Sequence, residues 1–251
     1  MITHPIPGRI IPLFSLFTIA ATPAFATEII VKNDSMTNAA SVTPCHCFIE
    51  GDIPAAWLTA PVAGNVVGVQ VFWKSPLGGA PDHQETAIRL YDGSSFPTPG
   101  AVLTNAGGGD AEVAIPMLSD GVLNEFRHLD QAQTIPLSVP VSAGQTFAVG
   151  LEIFNQSSGG GSFTPSLTYD QDGCQSGKNA VYVGDADVWL NACPQGVTGD
   201  WVIRAILDSD QDIPAASFWW LASMALLVVA SGTIVSRRRM HARAPVARSW
   251  S

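Results

Sequence analysis

Positive charge is scarce in the body of this chain. Of its 12 lysines and arginines, only Lys32, Lys74, Arg89, Arg127, Lys178 and Arg204 fall between Glu28 and Asp212, whereas all 21 acidic residues do. Six against 21 leaves a net charge of minus 15 on that stretch. Such a field repels phosphate backbones and excludes nucleic acid as a partner, while keeping an exported domain soluble. Helical periodicity is missing as well. No segment before Ile213 sustains apolar residues at i, i+3, i+4 and i+7 without a Gly or Pro break, so almost no helix is expected there. The common catalytic signatures are equally absent: there is no G-x-S-x-G elbow, no H-E-x-x-H pair and no glycine-rich phosphate loop. No catalytic residue is assigned. A cryptic extracytoplasmic hydrolase is the alternative function, and it requires His83 or His128 to meet carboxylates and a serine in a cleft.

What the chain does have is alternation with period two, punctuated by Gly, Pro, Asn and Asp. Apolar residues recur at Val67, Val69, Val71 and Trp73, at Phe147, Val149, Leu151 and Ile153, and at Trp201, Ile203, Ala205 and Leu207. Each set predicts a strand with one buried face. In Thr86–Asp92, Ile88 and Leu90 point one way while Arg89 and Tyr91 point the other. Weaker strands are predicted at Glu28–Val31, Cys47–Ile49, Glu112–Ile115, Ser166–Tyr169, Ala180–Val183 and Asp187–Leu190. Many short strands with Gly and Pro turns predict a mainly β protein, a single antiparallel β-sandwich over residues 27–207, of the jelly-roll kind. The segments AIRLYDG, FAVGLEIF and DWVIRAIL resemble a jelly-roll accessory module of bacterial exported proteins, and this resemblance brings no catalytic residues with it.

Both ends of the chain address a membrane. Residues 1–26 read as a signal peptide: Arg9, a short apolar stretch interrupted by Pro12, Pro23, and the A-x-A pattern Ala24-Phe25-Ala26. At the other end, residues 208–216 form an acidic spacer and motif, and 217–236 an apolar segment without a formal charge. Phe218–Val235 alone would make a helix of roughly 27 Å at about 1.5 Å per residue, enough to span a bilayer. Residues 237–251 are basic, opening on Arg237, Arg238 and Arg239, which holds the tail on the cytoplasmic side and the bulk outside. This layout resembles the IPTL-CTERM relatives of the PEP-CTERM sorting signals. Ile213, Pro214, Ser217 and Trp219 match the motif, and Arg237–Arg239 match its basic end, while Ala215, Ala216, Phe218 and Trp220 depart from it. The resemblance implies export in a Gram-negative bacterium, often one that makes extracellular polysaccharide. It also implies an inner-membrane anchor with the bulk in the periplasm, or transfer to the cell surface after a processing transpeptidase acts.

Three residue groups are candidates for chemistry. Cys45, Cys47, Cys174 and Cys193 lie in the exported part, where disulfides persist. A bond between Cys45 and Cys47 closes a tight ring, so each is expected to bridge to Cys174 or Cys193, for roughly 4 to 5 kcal/mol apiece in the chain-entropy model. A metal site built from Cys45, His46, Cys47 and a later thiol is the alternative. Asp170 and Asp172 in YDQDG are candidate calcium ligands, with turn formation beside Gly173 as the plainer role; no other cofactor is expected. Tyr91, Tyr169, Tyr182 and Trp189 lie on or beside turns and could stack on sugar rings, against ordinary core packing. The expectation is an exported, membrane-anchored β-sandwich with a structural or binding role toward polysaccharide or envelope material.

Overall fold

A computed structural model describes residues 27–154 and 166–209, with fifteen strands and two short 3-10 turns. The first eight strands are β1 (Thr27–Val31), β2 (Val42–Pro44), β3 (Ile53–Thr59), β4 (Gly64–Lys74), β5 (His83–Gln84), β6 (Ala87–Asp92), β7 (Glu112–Ala114) and β8 (Met117–Leu118). The rest are β9 (Val122–Phe126), β10 (Val139–Val141), β11 (Thr146–Glu152), β12 (Ser166–Asp170), β13 (Asn179–Val183), β14 (Val188–Asn191) and β15 (Ile203–Ser209).

Every strand pairing is antiparallel. One sheet of seven strands runs β1-β15-β4-β12-β2, with β9 and β10 also on β4. A second, six-stranded sheet runs β14-β13-β3-β11-β6-β7, and β5 with β8 forms a small ribbon. The two large sheets share one core. Val69, Val71, Trp73, Ile203, Ala205 and Leu207 from the first sheet meet Leu58, Ile88, Leu90, Phe147, Val149 and Leu151 from the second. Fully burying a side chain of this kind is worth about 1.5–3 kcal/mol, so closing the two inner faces on each other supplies the main driving force.

The alternation in β11, β15 and β6 therefore reads out correctly, and that in β4 slips once. Val67 is only half-buried, and Val66 takes the core position instead. The reason is a bulge: Ile206 pairs with Gly68 but Leu207 pairs with Val66, leaving Val67 without a partner. β15 also continues through Asp208 and Ser209, which pair with Glu28 and Thr27, so the strand enters what the sequence suggested was spacer. Cys47–Ile49 is not a strand.

The cysteines correct a second expectation. Cys45 bonds to Cys47 and Cys174 to Cys193, with Cα–Cα distances of 5.3 and 5.6 Å. The chain bends at His46 enough to bring the first pair together, and Cys174 and Cys193 flank the β13–β14 hairpin, whose base already holds them close. The staples are local instead of long-range, and no free cysteine remains among the described residues to make a thiolate metal site.

The signal peptide, the motif residues Ile213, Pro214, Ser217 and Trp219, the apolar segment 217–236 and Arg237–Arg239 lie outside the described residues. Among the described residues no helix is long and apolar enough to cross a membrane.

Candidate functional site

The outward face of the six-stranded sheet is unusually rich in rings. Along β3 and β11 alternate residues turn away from the core, and on this face they are Ala55 and Trp57, then Ala148 and Gly150; Tyr91 of β6 and Ala180 of β13 join them. Trp57 and Tyr91 flank Ala148 in one cross-strand row, and Ala180, Ala55 and Gly150 form the next. Ala and Gly thus make a low floor. At Gly150 even a Cβ would come within 2.8 Å of Ile53 Cγ2 and 3.2 Å of Tyr91.

That floor lets distant rings meet. β14 and β6 are separated by three strands, roughly 19 Å at the usual spacing between neighbours. Trp189 of β14 and Tyr91 of β6 nevertheless sit with ring centroids 6.1 Å apart, each lying inward over the small residues. Trp189 also meets Trp57 at 6.1 Å and Tyr182 at 5.5 Å, and Phe96 meets Trp57 edge-on at 5.2 Å. Offset and edge-on pairs of this kind add about 0.5–1.5 kcal/mol each beyond area burial. Trp57 and Tyr91 are buried, while Phe96, Tyr182 and Trp189 stay half-buried at the rim. The Tyr182 hydroxyl donates to Asp187 Oδ1 at 2.7 Å, and this bond pushes the phenol above its ordinary range. Asp187 itself has φ of 50°, a conformation few non-glycine residues adopt.

Beyond Gly150 the same row turns charged. Arg89 donates from Nε to Glu112 at 2.6 Å and from a terminal nitrogen to Glu152. Burial works against the guanidinium, but Glu112 and Glu152 outweigh it and raise its pKa. Three of the four ring residues expected as a platform, Tyr91, Tyr182 and Trp189, are therefore brought together. Tyr169 is not: it packs edge-on against Trp201, 6.1 Å away, beside the main core. Trp57 and Phe96 join the cluster without having been anticipated. The strand that carries Trp57 is buried on both faces and contains Pro54, so it shows no alternation.

Of the two candidate calcium ligands, Asp172 is exposed beside Asp170, and Asp170 has other work. Asp170 is fully buried, accepting the Asp200 N–H at one oxygen and the Ser35 N–H and hydroxyl at the other. Burial pushes its pKa up against the pull of the Ser35 and Asp200 amides, and neighbouring Asp172 adds to the rise. Asp200 is buried too and accepts from Gln175 and Asn179, beside the Cys174–Cys193 bond. Together these carboxylates fasten the N-terminal segment and the β12 turn to the end of the sandwich. Among the described residues no group of three or more His, Cys, Asp or Glu side chains could hold a metal ion.

Away from this face a cleft of about 550 Å³ opens between the edges of the two sheets, where β7 and its following turn face β9 and its following loop. His128 lines it, but the carboxylates there are committed: Glu125 to Gln70 and Arg127, Asp130 to Thr134 and Ile135. His83 lies elsewhere, its Nδ1 3.7 Å from Glu85 Oε1, while Glu85 accepts the Phe154 N–H. The hydrogen bonds of the described residues include no Ser–His–carboxylate relay, the arrangement a nucleophilic hydrolase needs. No protein-family model, curated protein or solved structure matches the chain.

Proposed function

We propose that this chain is an exported, membrane-anchored or surface-sorted β-sandwich of jelly-roll type, held by a C-terminal transmembrane helix, that binds polysaccharide or envelope material. It performs no covalent chemistry in this role. The observation that carries the proposal is the ring-covered outer face of the six-stranded sheet. An outward sheet face normally ends in polar side chains facing water. Here Phe96, Tyr182 and Trp189 form a half-buried aromatic rim, with Arg89, Glu112 and Glu152 beside it as hydrogen-bonding groups. Rings of this kind stack on the apolar faces of sugars while polar neighbours fix orientation. The acidic body favours neutral polymers over uronic-acid ones.

The test is a pull-down of the purified protein on insoluble and immobilised neutral polysaccharides, wild type against Trp189→Ala. Retention of the wild type with at least a tenfold loss in the variant supports the role. Equal retention of both removes the aromatic face as the binding surface, and retention of neither on any polymer removes the role. Mass measurement of the protein recovered from the cell envelope tests the anchor separately, since processing removes the tail and an intact span retains it.

A further inference from the structure

The cleft between β7 and β9 has features that the aromatic face does not explain. Three non-glycine residues have positive φ among the described residues: Ile115 at 51°, Gln133 at 56° and Asp187 at 50°. Two of them, Ile115 and Gln133, line this one cleft. A β-branched residue in the left-handed region is a steric outlier, and such strain concentrates where a side chain must be presented in one direction. Ile115 is held there from both sides. Its N–H donates to Thr86 O at 3.1 Å, and its carbonyl accepts from Gln131 Nε2 at 3.0 Å. The next position is Pro116, so the turn is locked and the Ile115 side chain stays 42% exposed, with Met117 at 46%.

The charge pattern narrows the ligand. Arg127 is paired with Glu28 through two nitrogens and with Glu125 through the third, and Asp130 is occupied by its own loop. The polar side chains of the lining that make no hydrogen bond to a described residue are the amides of Gln84 and Gln133 and the imidazole of His128. Between them lie the apolar surfaces of Ile115, Met117 and Phe126. Amides and an imidazole around an apolar patch suit a molecule that carries hydroxyls on its edges and C–H groups on its faces, and that brings no net charge. The volume falls in the range of small-ligand sites.

We propose that this cleft binds a neutral saccharide unit, a second site that rests on the polysaccharide-binding role but is independent of the aromatic face. The strained Ile115 supplies the apolar contact, and Gln133, Gln84 and His128 take the hydroxyls. A glycine at position 115 relieves the backbone and deletes the contact together, so binding and stability move in opposite directions.

The experiment titrates the full chain, in a detergent without a sugar headgroup, with maltotriose, cellotriose, laminaritriose, mannotriose and chitotriose. Hydrogen exchange maps the bound site in the wild type, Ile115→Gly, His128→Ala and Trp189→Ala. The expected result is protection by at least one trisaccharide at residues 113–117 and 127–133. Ile115→Gly should weaken that affinity about tenfold or more while raising Tm by a few degrees. His128→Ala should weaken it with Tm unchanged, and Trp189→Ala should leave it within about twofold. Protection confined to residues around Trp189 overturns the cleft while the proposed function stands. Protection at the cleft with polymer retention unaffected by Trp189→Ala removes the aromatic platform and keeps the cleft. No protection by any trisaccharide, or unchanged affinity in Ile115→Gly, overturns the cleft, as does a short extended peptide that protects it when no sugar does.

Discussion

On the outside of the seven-stranded sheet, Arg204 grips Asp34 through two nitrogens, at 2.9 and 2.5 Å, and further along the same face Gln70, Glu125, Arg127 and Glu28 form a chain of hydrogen bonds. On the outside of the six-stranded sheet, Trp189 packs onto the cluster that holds Ala55, Ala148 and Ala180 and reaches Tyr91. Both faces back onto one apolar core, so what differs is only the alternate residues that turn outward. The charged groups of the seven-stranded face complete themselves, because these donors find acceptors within the protein, and its outward Phe72 and Val202 are buried with Val42 in an apolar cluster. An aromatic face is completed only partly by ring-on-ring contact and leaves rims exposed to a ligand. The face proposed above as the aromatic binding platform is thus the one that remains unfinished.

The largest effects come from removing the keystone of each face. Asp34 and Arg204 are 3% and 9% exposed, so Asp34→Ala leaves an unpaired buried guanidinium. It should cost about 3–5 kcal/mol in urea unfolding, while the double replacement Asp34→Leu with Arg204→Met should restore most of that. Trp57→Ala should also cost about 3–5 kcal/mol through the cavity it opens, but no second substitution restores it. If both faces respond alike to paired replacement, the distinction between them is lost.

An intermediate effect tests the floor. Gly150→Val places methyl groups against Ile53 and Tyr91, where a single Cβ is already tight. Overpacking there should cost about 1–3 kcal/mol and tilt Trp189 outward, seen as a red-shifted tryptophan emission with weaker polysaccharide retention. The equivalent change on the polar face, Val67→Ile at the bulged and half-buried position, should shift stability by less than about 0.5 kcal/mol.

Much of the core was legible because one buried face imposes period two: β11, β15 and β6 lie where alternation puts them. The central strand β3 was not. Its IPAAWLT sequence combines Pro54 with alanines of low strand propensity, and burial on both faces erases the alternation. Losing β3 also concealed Trp57, and with it the reason Tyr91, Tyr182 and Trp189 converge. Tyr169 could not be separated from them in advance, since a ring beside a turn has the same local sequence whichever sheet it joins. The disulfide expectation failed for a related reason. Entropy favours long closures, but which cysteines meet is decided by the β13–β14 hairpin and by the bend at His46, and neither is written in the spacing. The cleft was invisible because its signal is backbone strain at Ile115 and Gln133, which leaves no compositional mark.

The smallest effect separates the two kinds of ion pair on the polar face itself. Arg127, Glu28 and Glu125 have side chains 37%, 47% and 37% exposed, so their contacts are screened and together worth less than about 1 kcal/mol. The hydrogen bond from Arg127 depresses the Glu28 pKa below its ordinary 4.5, and Gln70 followed by Arg127 does the same for Glu125. A depressed carboxylate pKa contributes stability that is present above 4.5 and lost as pH falls through the folded-state values. Arg127→Ala should therefore lower Tm slightly at pH 7 and low salt, with the difference from wild type vanishing near pH 3 or in 1 M NaCl. Asp34→Ala, by contrast, should keep its full penalty in 1 M NaCl, because salt does not reach a pair that water does not reach. A salt-sensitive Asp34→Ala would mean that the polar face is no more finished than the aromatic one, and would return the search for the binding surface to both sheets.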